Sequence, residues 1–226
     1  MPTREAACHC GQLRLEVNGD PFRVSICNCF ACQRRTGSAF GMQAAFLPDQ
    51  VHVVGRYNDY SRSSDEADRK EYVFHFCPYC GSQVFGTEPT EPDVVVVSVG
   101  SFADPSFPPP VESGYDSRRH RWLELPEAIE RHAPELWWEQ VGPLHRAGKY
   151  QQAADRGLEL VAAHPEYAGL LYGVACSESL AGRTADALDH LRQAIERLAW
   201  FREAAKADAD FDPIRDEPAF RELIGR

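Results

Sequence analysis

The chain has 226 residues, 43% of them hydrophobic and 26% charged, which indicates a globular protein of one large or two modest domains. The net charge is -10, with 12 basic and 16 acidic residues in 1–126 and 12 basic and 18 acidic in 127–226; without a basic stripe, nucleic-acid binding is not expected. No run of 18 apolar residues and no apolar leader occurs, so we expect no membrane span and a cytoplasmic location.

Residues 1–126 have the texture of an antiparallel all-β domain. Apolar and charged residues alternate over 13–17, as in a half-buried strand. Further strands are predicted over 40–46, 72–76 and 94–99. The polar segment 58–70 is expected to form a loop or a hairpin end. The proline-rich segment 105–114 is expected to be a rigid, irregular connection.

Residues 127–226 are rich in Ala, Leu and Glu at helical spacing and contain an internal repeat. Gly148 and Gly182 are 34 residues apart, and so are Ala153 and Ala187. A period of 34 with small residues at helix crossings is typical of tetratricopeptide repeats. Gly142-Pro143 should kink or shorten the first helix. We expect a partial third unit, capped by the last helix or docked on the N-terminal half.

The cysteines are concentrated near the N-terminus. Seven of the eight fall within the first 80 residues, and Cys176 stands apart on a predicted helix, where we expect a buried core residue. In a secreted protein this density would indicate disulfides. In a reducing compartment, closely spaced cysteines indicate a metal site.

Two cysteine pairs predict a closed tetrahedral zinc site. Cys77-Pro-Tyr-Cys80-Gly81 has the spacing of a zinc knuckle, with a glycine for the tight turn that follows. Cys8 and Cys10 are two apart, so in an extended strand they point to the same side. A disulfide or a group of free thiols is the alternative.

A third cluster offers three sulfurs in six residues, at Cys27, Cys29 and Cys32. Three protein ligands and an open position are the arrangement of a catalytic zinc, which could bind and deprotonate a thiol. The alternatives are a second structural site, completed by a distant histidine or water, and a redox pair. Arg34 and Arg35 are candidates to bind a substrate carboxylate or to balance thiolate charge, solvated loop charges being the alternative.

These motifs, with their flanking residues, resemble a known family. The segments concerned are Cys8-His-Cys10-Gly11, Cys27-Asn-Cys29-x-x-Cys32-Gln-Arg-Arg-Thr-Gly-Ser38-Ala-Phe40, Cys77-Pro-Tyr-Cys80-Gly81-Ser82, Val97 to Pro105 and Trp122-Leu123. They are similar, in order, to the glutathione-dependent formaldehyde-activating family, which includes the centromere protein V type. The resemblance covers roughly residues 4–125.

The resemblance implies a β-tent of antiparallel sheets and two zinc ions per chain. One ion is structural and held by Cys8, Cys10, Cys77 and Cys80; the second would sit on Cys27, Cys29 and Cys32. It also implies the condensation of formaldehyde with glutathione to S-hydroxymethylglutathione, a carbon–sulfur lyase class of reaction. Fold likeness transfers metal sites better than substrates.

We therefore expect an α+β multidomain protein with a zinc-binding β-tent domain over 1–126 and an all-α, tetratricopeptide-like helical hairpin domain over 127–226. The first hypothesis is a zinc enzyme acting on a small thiol–aldehyde adduct, with a small thiol such as glutathione as substrate and a protein partner for the repeats. The rival is a non-catalytic, zinc-stabilised protein-interaction module. A thiol redox or metal-buffering protein is the third alternative.

Overall fold

The computed structural model describes residues 2–63 and 70–225. They form two compact units that divide between Glu130 and Arg131. The first unit is built mainly of β-strands and the second of helices, which confirms the predicted order of a β region followed by a helical region. No helix in the described parts of the chain has the length and apolarity needed to cross a membrane.

The first unit contains two sheets. Their strands are β1 (Thr3–Ala7), β2 (Arg14–Asn18), β3 (Arg23–Cys27), β4 (Gly41–Phe46), β5 (Val51–Val54), β6 (Asn58–Ser63), β7 (Glu71–Phe76), β8 (Gln83–Thr87), β9 (Val95–Ser98), β10 (Glu112–Gly114) and β11 (Glu130–Arg131). The small sheet has the order β1-β2-β5, and the large sheet has the order β11-β10-β3-β4-β9-β8-β7-β6.

Strand alternation creates the core of this unit. In β2, Leu15 and Val17 are fully buried while their neighbours are exposed, as the sequence pattern predicts. They join apolar residues of the large sheet, among them Phe46 and Val97, in one cluster. Cys8 and Cys77 belong to the same cluster, so the predicted metal ligands lie at the edge of the core.

The structure differs from the sequence-based expectations at three places in this unit. The segment 58–70 belongs to a hairpin, one of the two alternatives expected, but it begins with a regular strand, β6, which pairs antiparallel with β7; residues 64–69 lie outside the described part of the chain. The segment 105–114 ends in β10, which pairs parallel with β3, so the large sheet is mixed rather than wholly antiparallel. A short helix, α1 (Phe30–Thr36), stands where only a cysteine motif was recognised.

The second unit consists of helices in sequence. They are α2 (Pro134–Gln140), α3 (Gly142–Arg146), α4 (Tyr150–Ala163), α5 (Ala168–Leu180), α6 (Thr184–Arg197), α7 (Phe201–Ala207) and α8 (Pro218–Leu223), with a 3₁₀ helix over Ala209–Ile214. The break between α2 and α3 falls at Gly142-Pro143, where the sequence predicts a shortened helix.

The 34-residue period is visible in the backbone. Both ends of α6 lie 34 residues after the corresponding ends of α4. The turns before these helices share one hydrogen bond: Lys149 N–H donates to the Leu144 carbonyl at 3.0 Å, and Arg183 N–H donates to the Glu178 carbonyl at 2.9 Å. Gly148 and Gly182 take positive φ values of 71° and 76° in these turns.

The last helix closes the core of the helical unit. Phe220 of α8 is fully buried in a cluster with Ala187 and Leu191 of α6. This burial confirms the expected cap by the final helix. Cys176 is 5% exposed in the same cluster, in agreement with its assignment as a core cysteine.

Candidate metal centres

The four-cysteine cluster comprises Cys8, Cys10, Cys77 and Cys80, whose sulfurs all lie within 4.8 Å of one another. Cys8 and Cys10 follow β1, while Cys77 and Cys80 form the turn between β7 and β8. The Sγ atom of Cys10 lies 3.6 Å from that of Cys8 and 3.7 Å from that of Cys77. Two pairs that are distant in sequence therefore meet, although Cys8 and Cys10 converge from a turn after β1 and not, as expected, from an extended strand.

These distances fit one tetrahedral zinc ion. Two sulfurs that each lie about 2.3 Å from a tetrahedral zinc are about 3.8 Å apart. Backbone amides support the thiolate form: Leu13 N–H donates to Cys8 Sγ at 3.2 Å, and Tyr79 N–H donates to Cys77 Sγ at 3.4 Å. Hydrogen bonds from the Ser82 hydroxyl and backbone amide lower the pKa of Cys80 to about 5. The donor set is suited to zinc.

The three-cysteine cluster comprises Cys27, Cys29 and Cys32, whose sulfurs also lie within 4.8 Å of one another. Cys27 ends β3, Cys29 caps the N-terminus of α1, and Cys32 lies in its first turn. The Cys29 sulfur accepts a hydrogen bond from Cys32 N–H at 3.3 Å. A strand end and a helix start thus bring three sulfurs of a six-residue segment to one point.

Without a bound cation, the three neighbouring thiols cannot all ionise readily, and their pKa values shift in opposite directions. Hydrogen bonds from the Cys27 and Cys29 thiols lower the pKa of Cys32, with the Arg35 guanidinium as a further cause. The pKa of Cys27 is raised well above its ordinary value because its thiol hydrogen-bonds to Cys29 and Cys32 and is buried. Three thiolates this close together require a cation, and a bound dication would release their protons.

The two candidate arginines have different environments. Arg35 Nη2 lies 3.5 Å from Cys32 Sγ, its Nη1 donates to Gln83 Oε1, and its guanidinium lies 4.5 Å from the centre of the Phe74 ring. Arg34 is exposed on the surface of α1. The sequence suggested two roles for this pair, balance of the thiolate charge and binding of a substrate carboxylate. The position of Arg35 suits the first role, and the exposed side chain of Arg34 is accessible for the second.

A buried polar network, which no sequence motif indicates, supports the three-cysteine cluster. Asn28 is fully buried between two ligand positions, and its Nδ2 donates to Ser113 Oγ at 2.9 Å and to the Gly114 carbonyl at 2.9 Å. Ser113 Oγ donates to Asp116 Oδ1 at 3.0 Å, and that carboxylate also accepts from Arg119 Nε at 3.0 Å. The cluster is thereby tied to a segment 85 residues further along the chain.

The side chain of Gln33 makes a second connection to that distant segment. Its Nε2 donates to the Asn28 carbonyl at 2.8 Å and to the Arg118 carbonyl at 3.2 Å, and its Oε1 lies 3.2 Å from His120 Nε2. The Arg118 guanidinium lies 4.9 Å from the centre of the Phe30 ring. These residues form a rim beside α1 that sequence reasoning missed.

A third group of candidate ligands lies in the helical unit. Cys176, Asp208 and Asp210 place their ligand atoms within 4.8 Å of one another. Asp208 is already engaged by local contacts, since it accepts from the Tyr172 hydroxyl at 2.8 Å and from the Asp210 backbone amide at 3.0 Å. Asp208 therefore acts as the N-cap of the 3₁₀ helix, and this role accounts for the grouping without a metal ion.

A family model described as glutathione-dependent formaldehyde-activating enzyme matches residues 3–118. The chain belongs to this family. The matched region contains both cysteine clusters, each of which could hold a metal ion. No curated protein matches the chain. A crystal structure of a Rhodobacter sphaeroides protein is 22% identical over 46% of this chain and 91% of that chain, with a TM-score of 0.35.

Proposed function

We propose that the chain is a zinc-dependent enzyme of the carbon–sulfur lyase type that forms or cleaves the adduct of a small thiol and an aldehyde. The substrates proposed are glutathione and formaldehyde, and the product is S-hydroxymethylglutathione. The observation that carries the proposal is the three-cysteine cluster. Among the described residues, the candidate metal ligands grouped at this cluster are Cys27, Cys29 and Cys32. A tetrahedral zinc ion with three protein ligands has a fourth coordination position, which a substrate sulfur could take.

Each cluster has a separate role in this proposal. Cys8, Cys10, Cys77 and Cys80 would hold a structural zinc, and Cys27, Cys29 and Cys32 would hold a second, catalytic zinc. Zinc at the second position supplies Lewis acidity, which lowers the pKa of a bound thiol. A reducing compartment such as the cytoplasm would keep all seven thiols available for metal.

The chain's own residues would neutralise charge and orient the substrate. Arg35 contacts the Cys32 sulfur, where its positive charge offsets the negative charge of the thiolates. Arg34 is exposed one residue earlier and would bind a carboxylate of the thiol substrate. Asn28 and its buried network would hold the backbone between Cys27 and Cys29 in place.

Isothermal titration with glutathione tests the proposal. The wild-type protein should bind glutathione, and Cys29→Ser should bind it at least tenfold more weakly, because a serine oxygen is a poorer zinc ligand than a thiolate. The four-cysteine cluster keeps all its ligands in this variant, so its zinc content and circular dichroism serve as the control for folding. Equal binding by both proteins, or binding by neither, contradicts glutathione as the substrate.

The 34-residue repeat favours a second function for the helical half. We propose that residues 127–226 are a tetratricopeptide-like domain that binds a protein partner, distinct from a zinc-binding β-tent domain over 1–126. Its support is the matching lengths, ends and turn hydrogen bonds of α4 and α6. If this were the only function, both zinc ions would resist exchange with added thiol. An exchangeable second zinc favours the enzyme.

A further inference from the structure

His120 is an exposed histidine in the rim beside α1. Its Nε2 atom faces the Gln33 amide at 3.2 Å, and its ring lies 5.8 Å from the ring of Trp122, which is 69% exposed. The side chain is therefore held on one edge by the protein and open to solvent elsewhere. This combination suits a group that must meet a substrate in a fixed orientation.

The hydrogen bonds of Gln33 determine which nitrogen of His120 carries the proton. Gln33 Nε2 donates to two backbone carbonyls, those of Asn28 and Arg118, and this orients the amide. The atom that faces the histidine is consequently Oε1, which can only accept. His120 Nε2 must donate, so in the neutral ring Nδ1 carries the lone pair. The ring is thereby set up as a base at Nδ1.

The same amide links His120 to the segment that carries the three-cysteine cluster. The carbonyl that Gln33 contacts at 2.8 Å belongs to Asn28, between Cys27 and Cys29. Gln33 N–H in turn donates to the Cys29 carbonyl at 3.1 Å, which fixes the base of its side chain one helical turn from that ligand. One amide group and two hydrogen bonds separate the imidazole from the backbone that carries the sulfurs.

We propose that His120 is a catalytic residue of the thiol–aldehyde reaction and that Gln33 is its positioning residue; the inference rests on the proposed function. His120 Nδ1 takes the proton of the thiol as the sulfur attacks the aldehyde carbon. The C–S bond forms, the C=O π bond breaks with its electron pair going to oxygen, and the proton passes from Nδ1 to that oxygen. The reverse reaction follows the same path, and no oxidant or reductant is needed.

Exchange of formaldehyde between free and glutathione-bound forms, measured by NMR with the zinc-loaded full chain, tests the catalytic role. His120→Ala should lower kcat about 100-fold with little change in KM, and added imidazole should restore part of the rate. His52→Ala, at an exposed histidine on β5, should match the wild type. If His120→Ala has wild-type kinetics, the role of His120 is overturned but the proposed function is not. A wild-type protein that fails to accelerate exchange overturns this inference together with the proposed function.

A measurement independent of activity tests the role of Gln33. Nitrogen-15 NMR of the wild-type imidazole should show His120 protonated at Nε2 and unprotonated at Nδ1 when the ring is neutral. Gln33→Met removes the amide at nearly constant volume, so the tautomers should mix, and kcat should fall with zinc content unchanged. A neutral wild-type ring protonated at Nδ1, or a tautomer unaffected by Gln33→Met, overturns the inference.

Discussion

Arg34 and Arg35 are adjacent in sequence, yet only Arg35 contacts the three-cysteine cluster. We predict that Arg35→Gln weakens zinc binding at this cluster about tenfold, since loss of a group that hydrogen-bonds to a metal ligand typically costs 10- to 100-fold in affinity. The physical cause is the removal of the N–H donor that lies 3.5 Å from Cys32 Sγ. Competition for zinc with a chromophoric chelator measures the effect.

Arg34→Gln is the matched control for this prediction. It makes the same chemical change one residue away, at an exposed side chain. Zinc affinity at the three-cysteine cluster should stay within about twofold of wild type, because exposed charges contribute little to such sites. Equal weakening by both variants would show that the total charge of α1, rather than the contact with Cys32, governs the metal.

Cys176 belongs to neither of the two cysteine clusters predicted to bind zinc. Burial raises its pKa well above the ordinary thiol value, and the charges of Asp208 and Asp210 raise it further. We predict that, in the native state, iodoacetamide modifies Cys176 only through unfolding events, since the thiolate is the reactive form. Mass spectrometry should find this cysteine unlabelled until denaturant unfolds α5. Native labelling at the rate of a free thiol would contradict the prediction.

Helix α5 contains two glycines in contrasting environments. A Cβ atom on Gly173 would lie 2.7 to 2.8 Å from the Trp137 indole, whereas one on Gly169 would have Phe201 as its nearest neighbour, at 3.9 Å. We predict that Gly173→Ala destabilises the helical unit by about 1–3 kcal/mol because of overpacking. Gly169→Ala should stabilise it by about 0.5–1 kcal/mol through helix propensity.

Urea unfolding followed by circular dichroism at 222 nm compares these two variants. Because both substitutions are Gly→Ala in one helix, their propensity effects should nearly cancel in the comparison. The difference in unfolding free energy then reports the contact with Trp137. A stabilised Gly173→Ala protein would mean that the indole can move away without cost.

The elements that sequence reasoning found are those with a local signature. The 34-residue spacing of Gly148 and Gly182 predicted the repeat of α4 and α6, and alternating residues predicted β2. Strand β10 was missed because its pairing with β3 joins residues more than 80 positions apart behind a proline-rich segment. The hydrogen bond from Asn28 to Ser113 also joins residues far apart in sequence, and no spacing pattern predicts such a contact.

Each of the two units has its own hydrophobic core. The core of the first unit includes two cysteines of the four-cysteine cluster, Cys8 and Cys77. The two clusters of the second unit contain no predicted zinc ligand among their described residues. Metal binding should therefore be coupled to the folding of one unit only.

We predict that chelation of zinc unfolds the first unit and leaves the second folded. A structural zinc site contributes about 10–16 kcal/mol in small zinc domains, which is comparable to the whole stability of a domain, about 5–15 kcal/mol. After chelation, hydrogen exchange should lose its protection in β1, β2, β7 and β8 and keep it in α4, α5 and α6. Circular dichroism at 222 nm should retain most of its helical signal.

Cys27→Ser supplies the control, because it removes a ligand of the three-cysteine cluster and leaves the four-cysteine cluster intact. Its amides in β1 and β7 should stay protected, since the zinc next to the core remains bound. Cys80→Ser, at a half-buried ligand of the four-cysteine cluster, should reproduce the loss seen on chelation without any chelator. Simultaneous loss of protection in α4–α6 would show that the two cores unfold as one cooperative unit and that the helical half depends on the zinc.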